Sequence, residues 1–130
     1  MPVTYYDPEH APNPKEWLAL GESERIRLAQ SFHVSARIKV PNLKAHAAFH
    51  AVVENQLATG FGPSCRTVER LQKEGMSRHE AIHAIGSIVA KFLHESISGP
   101  GSESAETMQR RMNAEIESLS AAQWSAGRDA

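Results

Sequence analysis

The run Leu43-Lys44-Ala45-His46-Ala47-Ala48-Phe49-His50-Ala51-Val52-Val53-Glu54-Asn55-Gln56-Leu57-Ala58 decides how this chain is read. It contains no glycine or proline, follows an asparagine suited to an N-cap, and stops before Thr59-Gly60, so it predicts a helix over 43–58. A helix turns about 100° per residue, so positions four apart stack on one face. His46, His50 and Glu54 then form one stripe. On a wheel centred on His50, the apolar residues Leu43, Ala47, Val53 and Leu57 fall within roughly 60° of it. The polar stripe therefore runs down the middle of the apolar face, where an ionised carboxylate costs several kcal/mol unless it is paired or metal-bound.

A second stretch, Ser77-Arg78-His79-Glu80-Ala81-Ile82-His83, opens another helix with an S-x-x-E capping box, and within it reads H-E-x-x-H. This helix is expected over 78–94. Ile82, Ile85, Val89 and Phe92 mark its core side; His79 and His83 lie about 60–100° to one side, on a strip shared with Gly86 and Ala90. The segment 59–76 between the two helices is short, so the pair is expected to pack antiparallel at the centre of the fold.

Outward from these helices, residues 1–13 carry three prolines and predict an extended N-terminal arm, with Tyr5, Tyr6 and Trp17 as its anchors and those of the first helix. Asn13-Pro14 starts a short helix ending near Gly21, and a second helix follows with Ile26, Ala29, Phe32 and Ala36 at helical spacing, stopped by Val40-Pro41. Ser64 opens a helix through Cys65, Val68 and Leu71 that Gly75 ends. Residues 14–95 form the expected helical core domain, 96–104 a flexible linker, and 105–122 a last amphipathic helix with Met108, Met112, Ile116 and Leu119 on one face, free to pack on a partner subunit. No stretch alternates as a strand does. The expectation is an all-α, compact, single-domain bundle of about six helices.

Composition narrows the function. Fourteen basic residues face 15 acidic ones for a net charge of −1, with no long basic run, so nucleic acid is not an expected partner. No apolar run reaches the length of a membrane span, and the single Cys65 excludes an internal disulfide or a thiolate cluster. The start lacks the regions of a signal peptide, which makes a bacterial-type cytoplasmic protein the expectation. His33 reads as a boundary residue near a helix end, and His10 and His94 as an arm and a helix-end residue.

These features point to a divalent metal held by His46, His50, His79 and His83 between helices 43–58 and 78–94, with Glu54 as a further ligand or a supporting partner. Imidazole and carboxylate without thiolate suit zinc first, with iron, nickel or manganese as alternatives. A second reading is a minimal H-E-x-x-H hydrolase in which Glu80 is the general base acting on a small-molecule or peptide substrate; position 89 is valine, so the third histidine of the longer metalloprotease pattern is absent. A third is a dimeric interaction protein, joined through the C-terminal helix, whose buried histidines form a network without metal.

Residues 43–94 also resemble a bacterial domain-of-unknown-function family of small helical proteins. The shared features are H-x-x-x-H at 46–50, Gln56, Pro63, Arg66 with Leu71, and H-E-A-x-H at 79–83. The resemblance implies an all-helical fold and treatment of the four histidines as a set, and it brings no activity. In that family the acid near the first pair sits one residue later than Glu54, where this chain has Asn55.

Overall fold

Side chains that satisfy orphan backbone groups set most of the helix boundaries. The computed structural model describes residues 3–98 and 103–129, and all of its secondary structure among them is helical. The described residues form seven helices: α1 (Pro14–Ala19), α2 (Glu22–Ser35), α3 (Leu43–Ala58), α4 (Gly62–Lys73), α5 (Arg78–Ser98), α6 (Ala105–Ser118) and α7 (Ala121–Asp129). Contacts divide the chain into two units, 1–61 and 62–130.

In the first unit, Asn13 and Asn42 cap α1 and α3 by accepting from the backbone N–H of Glu16 and Ala45. Such a cap is worth about 1 kcal/mol. Helix α3 packs on both α1 and α2. Ala29 of α2 and Ala47 and Ala51 of α3 are buried, and side chains this small let two helices approach closely. Arg25, near the start of α2, reaches the Oδ1 of Asn55 near the end of α3, while His33, near the end of α2, meets His46 and His50 in the first half of α3. The two helices are therefore antiparallel. Arg25 also donates to the carbonyls of Trp17, Leu18 and Leu20, which closes the C-terminal end of α1. Trp17 is fully buried and donates its indole N–H to Asn55.

Three helix ends share one backbone geometry. After α3, α4 and α2, paired bonds run from the next residues back to the last turn: Phe61 to Gln56 and Gly60 to Leu57, Met76 to Leu71 and Gly75 to Gln72, Ile38 to His33 and Arg37 to Val34. This is the Schellman pattern, which places one residue in the left-handed region. Gly60 (φ 77°) and Gly75 (φ 103°) take it without strain; after α2 the residue is Arg37 (φ 58°). Left-handed backbone costs a residue with a Cβ about 1–2 kcal/mol. Helix α2 thus stops at Ser35 rather than at the expected Val40-Pro41, because this motif ends it first.

In the second unit α5 and α6 pack on α4 and on each other. Leu71, Ile82, Ile85 and Ile116 are at most 1 % exposed there, and each contributes roughly 1.5–3 kcal/mol by leaving water. The expected single helix over 105–122 is two helices, which raises the count from about six to seven. The chain breaks at Leu119, whose ψ is 143°. Arg70 donates to the carbonyls of Glu117 and Leu119 at the end of α6, and Glu74 accepts the N–H of Ala121 at the start of α7. That backbone donor, with Arg70 beside it, holds the Glu74 carboxyl below its ordinary pKa. On the apolar stripe of α6, Ile116 is fully buried with its carbonyl accepting from the Thr67 hydroxyl, while Met108, Met112 and Leu119 are half-buried. Helix α5 continues to Ser98, so the first residues of the expected 96–104 linker are helical, and residues 99–102 lie outside the described residues.

The arm (Val3 to Pro12) is non-helical apart from a turn at Pro8–His10, where Asp7 accepts the N–H of Glu9 and of His10. Tyr6 and Pro8 are buried. Tyr5, expected as an anchor, is 75 % exposed, because adjacent residues of an extended segment point to opposite sides.

Candidate metal centre

The antiparallel α2–α3 pair brings three imidazoles together in the first unit. His46 and His50 stand one turn apart on α3, and His33 comes across from α2. Ring centroids are 4.6 Å apart for His33 and His46, 4.7 Å for His33 and His50, and 5.0 Å for His46 and His50. One ring nitrogen from each lies within 4.8 Å of the others. His33 is fully buried, His50 is 2 % exposed, and His46 is half-buried.

His33 is the residue that sequence reasoning missed. It was expected to be a boundary residue near a helix end, but α2 turns its ring inward. The signal was present: His33 lies four residues after Ala29 and seven after Ile26, on the apolar face of α2.

Hydrogen bonds behind two of the rings decide where their protons sit. The His33 Nδ1 lies 2.7 Å from the carbonyl oxygen of Ala29. A carbonyl only accepts, so in the neutral ring Nδ1 carries the proton and Nε2 carries the lone pair. The His33 Nε2 atom is itself buried. His50 is set less directly. The Tyr6 hydroxyl donates its single proton to the Oε2 of Glu54 at 2.6 Å, and the tyrosine oxygen is 3.1 Å from Nδ1 of His50. With its proton given to Glu54, the tyrosine oxygen can only accept, so His50 Nδ1 donates and its Nε2 holds the lone pair. Histidine ligands of metals characteristically donate the other ring N–H to a carbonyl or carboxylate in this way.

Glu54 is 1 % exposed. Its hydrogen bond from Tyr6 is the kind of contact a buried carboxyl requires. Tyr6 is held over the site by ring contacts with Trp17 (centroids 5.5 Å apart), Phe32 (6.3 Å) and His50 (5.8 Å).

His79 and His83 lie in the second unit on α5, half-buried, with ring centroids 4.2 Å apart. Ala81, Ile82, Ala84 and Ile85 carry the buried side of that helix. Glu80, the candidate general base, sits in the first turn, and its backbone N–H donates to the Ser77 hydroxyl at 3.0 Å, which is the N-cap half of the expected capping box. His10 and His94 are exposed, and His10 pairs with Asp7.

No helix among the described residues is long and apolar enough to cross a membrane. No protein-family model, curated protein or solved structure matches the chain, so the chemistry of these side chains is what its function is read from.

Proposed function

We propose that the first unit binds a divalent transition-metal ion through His33, His46 and His50. The observation that carries this is the convergence of three imidazoles, two of them with hydrogen bonds that place the ring proton on Nδ1 and leave Nε2 its lone pair. A tetrahedral ion bonded at 2.0–2.1 Å requires ligand nitrogens about 3.3–3.4 Å apart. Nitrogens within 4.8 Å of one another reach that spacing by small side-chain rotations. The nitrogen donor set suits zinc first, and also iron or nickel. Glu54 supports the site through Tyr6 rather than as a ligand.

Three protein ligands leave one position on a tetrahedral ion. A fourth histidine closes the site and makes it structural; water in that position leaves it open for chemistry.

The test is metal titration of protein purified without a histidine tag. Zinc is expected to raise the melting temperature, since an ion that binds only the native state at about 100 times its Kd adds about 2.7 kcal/mol. A chelator is expected to reverse the gain. Protons compete with metal for imidazole, so the gain is expected to disappear as pH falls below about 6.5. A melting curve indifferent to zinc and chelator would refute the proposal.

A further inference from the structure

The mechanical role of the N-terminal arm is explained by Tyr6, whose ring packs against Trp17 and Phe32. Packing does not explain its hydroxyl. Phenylalanine would fill the same space, yet the hydroxyl is buried with Glu54 on one side and His50 on the other. We propose that Tyr6 is a positioning residue for the metal centre, relaying the Glu54 carboxylate to Nδ1 of His50 so that Nε2 of His50 is presented to the metal. This rests on the metal reading above and adds to it a dependence of metal affinity on the arm.

Geometry leaves the relay one direction. Glu54 is on the same helix as His50, one turn further on, and Tyr6 bridges the two from the arm, 44 residues away in sequence from His50 and 48 from Glu54. The tyrosine oxygen has one proton to give and takes one in return. Giving it to the carboxylate at 2.6 Å leaves only its lone pairs toward His50. His50 then holds the tautomer with Nδ1–H, and the negative charge at the end of the chain makes its Nε2 a better donor to a cation. His33 obtains the same tautomer from the Ala29 carbonyl of its own helix. The arm therefore sets only the α3 half of the site, and a defect in it should weaken binding without removing the ligands.

Three measurements on the 130-residue chain test this. Tyr6→Phe keeps the ring and removes the hydroxyl. Its zinc affinity, read by competition with a chromophoric chelator, is expected to fall about 10–100-fold, the usual effect of losing a partner behind a ligand. Its melting temperature without metal is expected to fall, because the buried Glu54 carboxyl loses the hydrogen bond that Tyr6 donates, so affinity is compared at a temperature where both proteins are folded. Glu54→Gln retains an oxygen that accepts the tyrosine proton, and is expected to keep more affinity than Tyr6→Phe. In the metal-free wild type, the ¹⁵N shifts of His50 should show Nδ1 protonated and Nε2 bare, a result independent of whether any variant folds. A wild type that takes up no zinc overturns the metal reading and this inference with it. A wild type that binds zinc, with Tyr6→Phe binding equally well or with His50 protonated at Nε2, overturns the inference alone.

Discussion

Helices α3 and α5 each carry two histidines one turn apart, and the two pairs have different surroundings. On α3 the pair lies on the packed face, where α2 adds His33 and the arm adds Tyr6. On α5 the pair is half-buried beside an aliphatic face, and the glutamate between them belongs to the first turn, with its N–H on Ser77. The more recognisable motif, H-E-x-x-H, is thus at a helix start, and in the plainer H-x-x-x-H it is His50 that has the hydrogen bond expected behind a metal ligand. Spacing along one helix can align two imidazoles. What distinguishes a site is what the neighbouring chain brings to them.

That contrast can be sharpened at α5. If the start of α5 depends on its cap, Ser77→Ala should lower stability by about 0.5–2 kcal/mol in chemical denaturation, with zinc affinity in the first unit unchanged. A larger loss confined to metal binding would give this segment a role in the site. Glu80→Gln should change stability by no more than about 0.5 kcal/mol, because glutamine also serves in a capping box. A hydrolytic activity that disappears in Glu80→Gln with metal retained would break the comparison, since glutamine cannot act as a general base.

Arg37 offers a smaller test on the other side. Gly60 and Gly75 adopt left-handed backbone where Schellman motifs end α3 and α4, while Arg37 does so after α2, four residues beyond His33. Arg37→Gly is expected to stabilise the protein by about 1 kcal/mol in the same denaturation experiment. A loss of stability would mean that the arginine side chain compensates for its backbone. Metal affinity should be unaffected, because the bond from Ile38 to the His33 carbonyl does not depend on the side chain at 37.

The all-helical class was legible because its signals are local. Asn13-Pro14, Asn42 and Gly75 mark helix ends through their own caps and turns, and the bounds of α3 follow from sequence alone. The end of α2 was not legible, since an arginine in left-handed backbone is not a stop that residue type advertises. Nor was the break at Leu119, which depends on Arg70 of α4 and on Glu74 just after it, nearly 50 residues earlier. The site divides in the same way. The stripe of His46, His50 and Glu54 follows from the helical period. His33 and Tyr6 join it through tertiary packing across 13 to 48 residues of chain, and spacing rules hold no information about that. The paired histidines at 46–50 and 79–83 point to helix 78–94 as the partner of α3, whereas its antiparallel partner within its own unit is α2, which carries the single His33.

The central claim is that His33, His46 and His50 share one ion. Metal analysis of tag-free protein, comparing wild type with His33→Ala, tests it most directly, because spacing puts His33 on the apolar face of α2 but only the α2–α3 geometry brings it to His46 and His50. The account expects about one tightly held metal ion per wild-type chain and little or none in His33→Ala, with His94→Ala like the wild type. Equal metal content in wild type and His33→Ala would contradict it.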